Sequence, residues 1–145
     1  VGSRGLGDVY KRQIAALPMA LLASMLLPLL MLFHLVGPVP TDLGVHGGEL
    51  SPCPGPDHCA QARWSSDDLA RDWSSLTETV EALPRTTVVE HTDTYLHAEV
   101  SSALFGFVDD LELHATEGMI QARSISRLGD SDLGVNARRL AELRS

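Results

Sequence analysis

An α+β domain, ordered as a helix, a four-stranded antiparallel meander and a C-terminal helix, is what the sequence predicts, behind an N-terminal transmembrane helix. Three observations predict it. Leu69, Trp73, Leu76, Val80 and Leu83 recur at steps of four, three, four and three, the period of one helix face. Four segments between Thr86 and Arg127 alternate apolar and polar residues, as strands with one buried face do. Ile14 to Val36 is an uncharged run of 23 residues.

The first residues are set aside. Ser3 to Gln13 reads SRGLGDVYKRQ and resembles, codon for codon, the translation of a transposase-type sequencing adapter, so residues 1–13 are read as artefactual. The chain carries 11 Lys and Arg against 19 Asp and Glu. Without Arg4, Lys11, Arg12 and Asp8, eight arginines face 18 acids, a balance of −10. Nucleic-acid binding needs a basic footprint, so no nucleic-acid partner is expected.

The run over 14–36 would extend roughly 34 Å as a helix, enough for a hydrocarbon core of about 30 Å. Pro18 lies near its start, and Pro28 should kink it. His34-Leu-Val-Gly-Pro offers no small-residue cleavage site, so the run reads as an uncleaved anchor with the membrane as partner. From Gly37 to Ala62 there is no Lys or Arg, while Asp42, Glu49 and Asp57 are present. That flank permits translocation, and the C-terminal part is expected outside the cytoplasm.

Residues 37–62 are read as a linker, because 37–56 alone hold five of the twelve glycines and five of the eight prolines. Cys53 and Cys59 lie in it. A disulfide between them suits an oxidising compartment and a small domain. A metal site built from Cys53, Cys59, His58 and His46 is the competing reading, although the spacing matches no standard zinc pattern. Two free thiols are the third.

The globular domain is placed at 63–145. Ser66 is the expected N-cap of the first helix, Asp67 and Asp68 load its first turn, and Pro84 stops it. Strands are expected at Thr86–His91, 94–101, Val108–Thr116 and 119–127, with Glu117-Gly118 as a two-residue hairpin turn. That turn sets Glu112 opposite Arg123, His114 opposite Gln121 and Leu113 opposite Ala122. Ser131-Asp132 should cap a last helix over 133–144. The helices then cover the apolar sheet face and leave a charged face open.

His97, Glu99, Asp110, Glu112, Arg123 and Arg127 share that charged face. One reading is cross-strand ion pairing on a solvated surface. The other is a surface whose arginines match carboxylate or phosphate groups of a ligand or partner. Asp109 falls on the opposite face, where pairing with Arg138 of the last helix is expected. Asp109 and Asp110 therefore point apart and are poorly placed as a general acid and base. No P-loop, G-x-G-x-x-G, H-E-x-x-H, C-x-x-C-H or G-x-S-x-G motif appears. A metal held by His97, His114 and Glu99 is a weaker alternative.

Several motifs carry a family resemblance. They are Asp42-Leu-Gly-Val, Cys53-Pro-Gly-Pro-Asp-His-Cys, Tyr95-Leu-His-Ala-Glu-Val-Ser, Phe105-Gly-Phe-Val-Asp-Asp-Leu-Glu, Arg123-Ser-Ile-Ser-Arg-Leu-Gly and Ser131-Asp-Leu-Gly-Val-Asn-Ala-Arg-Arg. In that order they resemble the bacterial family known as domain of unknown function 1499, over roughly 41–145. The segment after Cys59 departs from the serine-rich continuation common in that family. The resemblance implies no substrate, cofactor or reaction. It concentrates attention on polar positions, adding Asp109, Asp132, Asn136 and Arg138 to the candidate ligand-binding set. The combined expectation is a periplasmic domain on a single-pass anchor in a bacterial inner membrane. It would act as a non-catalytic binding module for a polar small ligand or an envelope protein, without cofactor. The alternative is an envelope hydrolase or metal-dependent enzyme using the same face.

Overall fold

The computed structural model describes residues 36–103 and 106–145. All but the last residue of the expected transmembrane run lies outside the described residues. Among the described residues, no helix is long and apolar enough to cross a membrane.

The elements run β1 (Val45–His46), β2 (Glu49–Leu50), β3 (Cys59–Ser65), α1 (Leu69–Ala82), β4 (Thr86–His91), β5 (Tyr95–Ser101), β6 (Val108–Thr116), β7 (Met119–Ser126) and α2 (Val135–Leu143). The main sheet is antiparallel, in the order β3-β7-β6-β5-β4. The meander β4 to β7 is the expected one, in the expected register: Glu112 pairs Arg123, His114 pairs Gln121 and Leu113 pairs Ala122. Thr116 and Met119 close the hairpin around Glu117-Gly118, where Gly118 has φ of +68°, a conformation glycine adopts without steric cost.

The sheet has five strands, not four. β3 lies along the edge of β7, from Cys59 opposite Ile125 to Ser65 opposite Met119. Its sequence, Cys-Ala-Gln-Ala-Arg-Trp-Ser, hides it, because alanine is a weak strand former and an edge strand shows only a shallow alternation. Ala60, Ala62 and Trp64 pack against the core.

Both helices cover the apolar face. Leu76 and Val80 of α1 and Leu140 and Leu143 of α2 pack on Leu96, Ala98, Leu111, Leu113, Ile120 and Ala122. The rest of the predicted stripe, Leu69, Trp73 and Leu83, lies along the margin of this core. Asp68 caps α1 in place of Ser66, accepting from the Arg71 N–H at 3.2 Å. Ser66 is still tied to the sheet through its N–H on the Gly118 carbonyl, so the helix starts later. α2 likewise starts at Val135, after the Ser131-Asp132 turn.

The opposite face is closed as well. The segment around β1 and β2, read from sequence as linker, crosses it as a strap. The Leu50 N–H donates to Gln121 Oε1 at 3.0 Å, and Leu50 is buried. Gln61 and Arg63 of β3 hold the strap from the side, through the Ser51 carbonyl and Glu49. A disulfide joins Cys53 at the strap's end to Cys59 at the start of β3.

Candidate functional site

Alternation along β5, β6 and β7 sends Tyr95, His97, Glu99, Asp110, Glu112, His114, Gln121 and Arg123 to one face, as period two requires. The expectation that this face stands open to solvent is overturned. Asp110, Glu112 and Arg123 are fully buried, and His97 is nearly so. Burying charge is costly unless every charge is paired, and here the pairing is dense.

Glu112 is the centre of one cluster. Its Oε1 accepts from the Tyr95 hydroxyl at 2.8 Å and from the Gly44 N–H of the strap at 2.7 Å. Its Oε2 accepts from Arg123 at 3.0 Å. The other end of that guanidinium donates to Asp42 at 2.7 Å, so strap and sheet are joined by an ion-pair chain. Arg123 Nε is buried without a hydrogen-bond partner. Burial, reinforced by the Glu112 carboxylate, pushes the Tyr95 phenol well above its ordinary pKa.

Asp110 is the centre of the second cluster. Arg127 grips it in bidentate fashion, Nε to Oδ2 at 2.8 Å and Nη2 to Oδ1 at 2.7 Å, and also reaches Glu99. His97 Nε2 lies 2.8 Å from Asp110 Oδ1. Burial alone would raise the Asp110 carboxyl. Hydrogen bonds from Arg127 and His97, with their charges, overcome it and hold the pKa below the ordinary carboxylate value. The Arg127 guanidinium is correspondingly raised, first by its bond to Asp110. A histidine against an aspartate is an arrangement that general bases use, but both oxygens of this aspartate are already taken by arginine.

The remaining candidates fall elsewhere. Asp109 faces the helices, as expected, but its partner is Arg139 at 2.7 Å, not Arg138. Arg139 shares the inward side of α2 with Asn136, Leu140 and Leu143, whereas Arg138 points outward and donates to the Leu133 carbonyl. Asn136 is fully buried and bonded to Ser124, Ser126, Arg139 and the His58 carbonyl. Asp132 ties the start of α2 through the Gly134 and Asn136 N–H groups. Burial opposes its ionisation, but these donors prevail and lower its pKa.

So the structure joins His97, Glu99, Asp110, Glu112, Arg123 and Arg127 on one face, closed except at the part-exposed Glu99, and separates Asp109, Asp132, Asn136 and Arg138 from it. Sequence reasoning missed Asp42, Gly44, Tyr95 and Arg139 as members of these networks. The motif containing Asp42 and Gly44 was visible, but nothing local says that it reaches Arg123 and Glu112. With Cys53 and Cys59 oxidised, neither is a thiolate, and the metal arrangement with His58 and His46 does not form. Among the described residues, no three His, Cys, Asp or Glu side chains converge as metal ligands.

Residues 41–145 match the family model described as protein of unknown function (DUF1499). No curated protein matches the chain. The match covers well over half of the sequence and takes in the strap, the disulfide, both polar clusters and α2, so the chain belongs to the DUF1499 family of proteins of unknown function.

Proposed function

We propose that this protein is a non-catalytic interaction domain, tethered by a helix over 14–36 to a bacterial inner membrane and facing the periplasm. One observation carries the non-catalytic reading. Asp110, Glu112 and Arg123, the most chemistry-laden side chains, are fully buried and engaged with one another, with Arg127, or with the strap. A catalytic acid, base or nucleophile must reach substrate, and these groups reach only protein. Their work in this reading is architectural: Glu112 and Arg123 fasten the strap, and Asp110 anchors Arg127 and His97. Binding to a polar ligand or an envelope protein then falls to other surfaces, and Arg138 is the predicted ligand-binding residue that remains exposed.

The tether reading is supported by the uncharged run of 23 residues and by the lack of Lys or Arg from Gly37 to Ala62. The disulfide supports an oxidising compartment. Spheroplasts of a bacterium expressing the full chain test both parts of the placement. Protease added outside should remove the domain, and a thiol reagent added without reductant should label neither cysteine. A domain that stays protected while both thiols label would sink the periplasmic reading.

A further inference from the structure

A shallow groove runs across the end of the domain where Asp109 and Arg139 pair. One stretch, a cavity of about 480 Å³, is lined by Phe107, Leu128, Leu133 and Val135 above the buried Asp109. The adjoining stretch, about 400 Å³, shares Ser102, Ala103 and Val135 with it and adds Leu83, Arg85 and Arg138. Three of the seven exposed large hydrophobic residues among those described, Phe107, Leu133 and Val135, line this groove. Leu133 is 84 % exposed.

Backbone strain concentrates in the same place. Arg85 and Leu133 are the two non-glycine residues with positive φ among those described, at 58° and 53°. Such conformations cost free energy in side-chain-bearing residues and gather at functional sites. Here they hold one apolar and one cationic side chain at the groove. Arg85 and Arg138 bond only backbone carbonyls, of Ser101 and Leu133, and neither has a carboxylate partner among the described residues. Asp109 is taken by Arg139, and Asp132 and Glu142 are the lining carboxylates without a cationic partner among the described residues, Asp132 being turned to the backbone N–H groups at the start of α2.

The chain enters the domain beside this groove. Gly37 is so closely seated that an added Cβ would lie 2.7 Å from the Arg127 carbonyl oxygen and 2.7 Å from the Leu128 side chain, and Leu128 lines the groove. The 23-residue apolar run ends one residue earlier, at Val36. Val36 and Val39, on either side of Gly37, are two more of the exposed hydrophobics.

We infer that this end of the domain rests on the lipid surface, with Leu133, Phe107 and Val135 in the interface and Arg85 and Arg138 on anionic headgroups. This inference depends on the tether proposed above. An apolar patch flanked by arginines, at the point where an apolar span joins the domain, matches the chemistry of a headgroup layer over acyl chains. An acidic protein surface would satisfy the arginines but would leave the position beside Gly37, which follows the apolar run in sequence, unexplained.

The test uses the full chain in vesicles of phosphatidylethanolamine and phosphatidylglycerol with brominated acyl chains. L133W and F107W report on the groove, V89W on an exposed position of β4, and the parent protein supplies the background emission of Trp64 and Trp73. L133W and F107W emission should shift to the blue and be quenched beyond V89W. R85Q/R138Q in the same background should weaken this apposition by about fivefold per arginine. A chain that floats with the vesicles while L133W and F107W are quenched no more than V89W overturns this inference and leaves the tether standing. A blue shift without bromine quenching means that protein covers the groove, which also overturns it. A chain that does not float overturns the tether and the resting face together.

Discussion

Three donors converge on Glu112: the Tyr95 hydroxyl, the Gly44 N–H and the Arg123 guanidinium. Glu112→Gln cannot satisfy them all, because an amide nitrogen must face at least one donor. Removing one charge of a buried pair typically costs about 3–5 kcal/mol. E112Q should therefore lose roughly 3 kcal/mol in urea unfolding, and an unchanged midpoint would show that the cluster does not hold the strap. Asp110 makes a pH prediction. Its folded pKa lies below the ordinary 3.8, so the folded state binds this proton less tightly than the unfolded chain. The stabilisation is present above the ordinary carboxylate pKa and is lost as pH falls through the lower folded value. The melting temperature should accordingly drop as pH is taken from 5 toward 3 (about two decades around that carboxylate range), and D110N should show a shallower drop. An identical slope in D110N would remove Asp110 from the acid response. The pairing of Glu112 with Arg123 was legible from the hairpin turn. The convergence of three donors was not, since two of them come from other parts of the chain.

At the scale of elements, β4 to β7 and the apolar side of α1 follow from local pattern. A two-residue turn specifies register, and a shift of one residue would send Leu111 and Leu113 to the charged face. β3 was beyond local reading because its apolar positions are two alanines and a tryptophan, which become a strand only against β7. The partner of Asp109 was misassigned by one residue for a related reason. α2 begins at Val135 after a left-handed Gly134, and that starting point decides which arginine faces inward. The strap has the disulfide as its second fastening. Closing a loop this short restricts the unfolded chain by about 2 kcal/mol in the loop-entropy model. Reduction should lower stability by that order and speed hydrogen exchange at the Gly44 and Leu50 amides before the core opens. Exchange that stays unchanged on reduction would mean that the strap's hydrogen bonds and ion pairs hold it without the disulfide.

For the whole described domain, one sheet is covered on both sides by different means. Helices close one face by apolar burial. A short strap closes the other with hydrogen bonds and ion pairs, on charges that would otherwise face water. That division turns a face with the composition of a binding site into an interior, and leaves the groove near Gly37 as an apolar surface still exposed. The sequence by itself determined the meander, its register, the two helices and the family, because each is encoded in spacing over a few residues or in motif order, while the choice of a disulfide for Cys53 and Cys59 came with the structure. Only the tertiary structure decided that the charged face is buried. The contacts that bury it join residues 68 to 81 positions apart, Gly44 to Glu112, Leu50 to Gln121 and Asp42 to Arg123. No local periodicity records such contacts, since their free energy exists only once the strap has closed over the sheet.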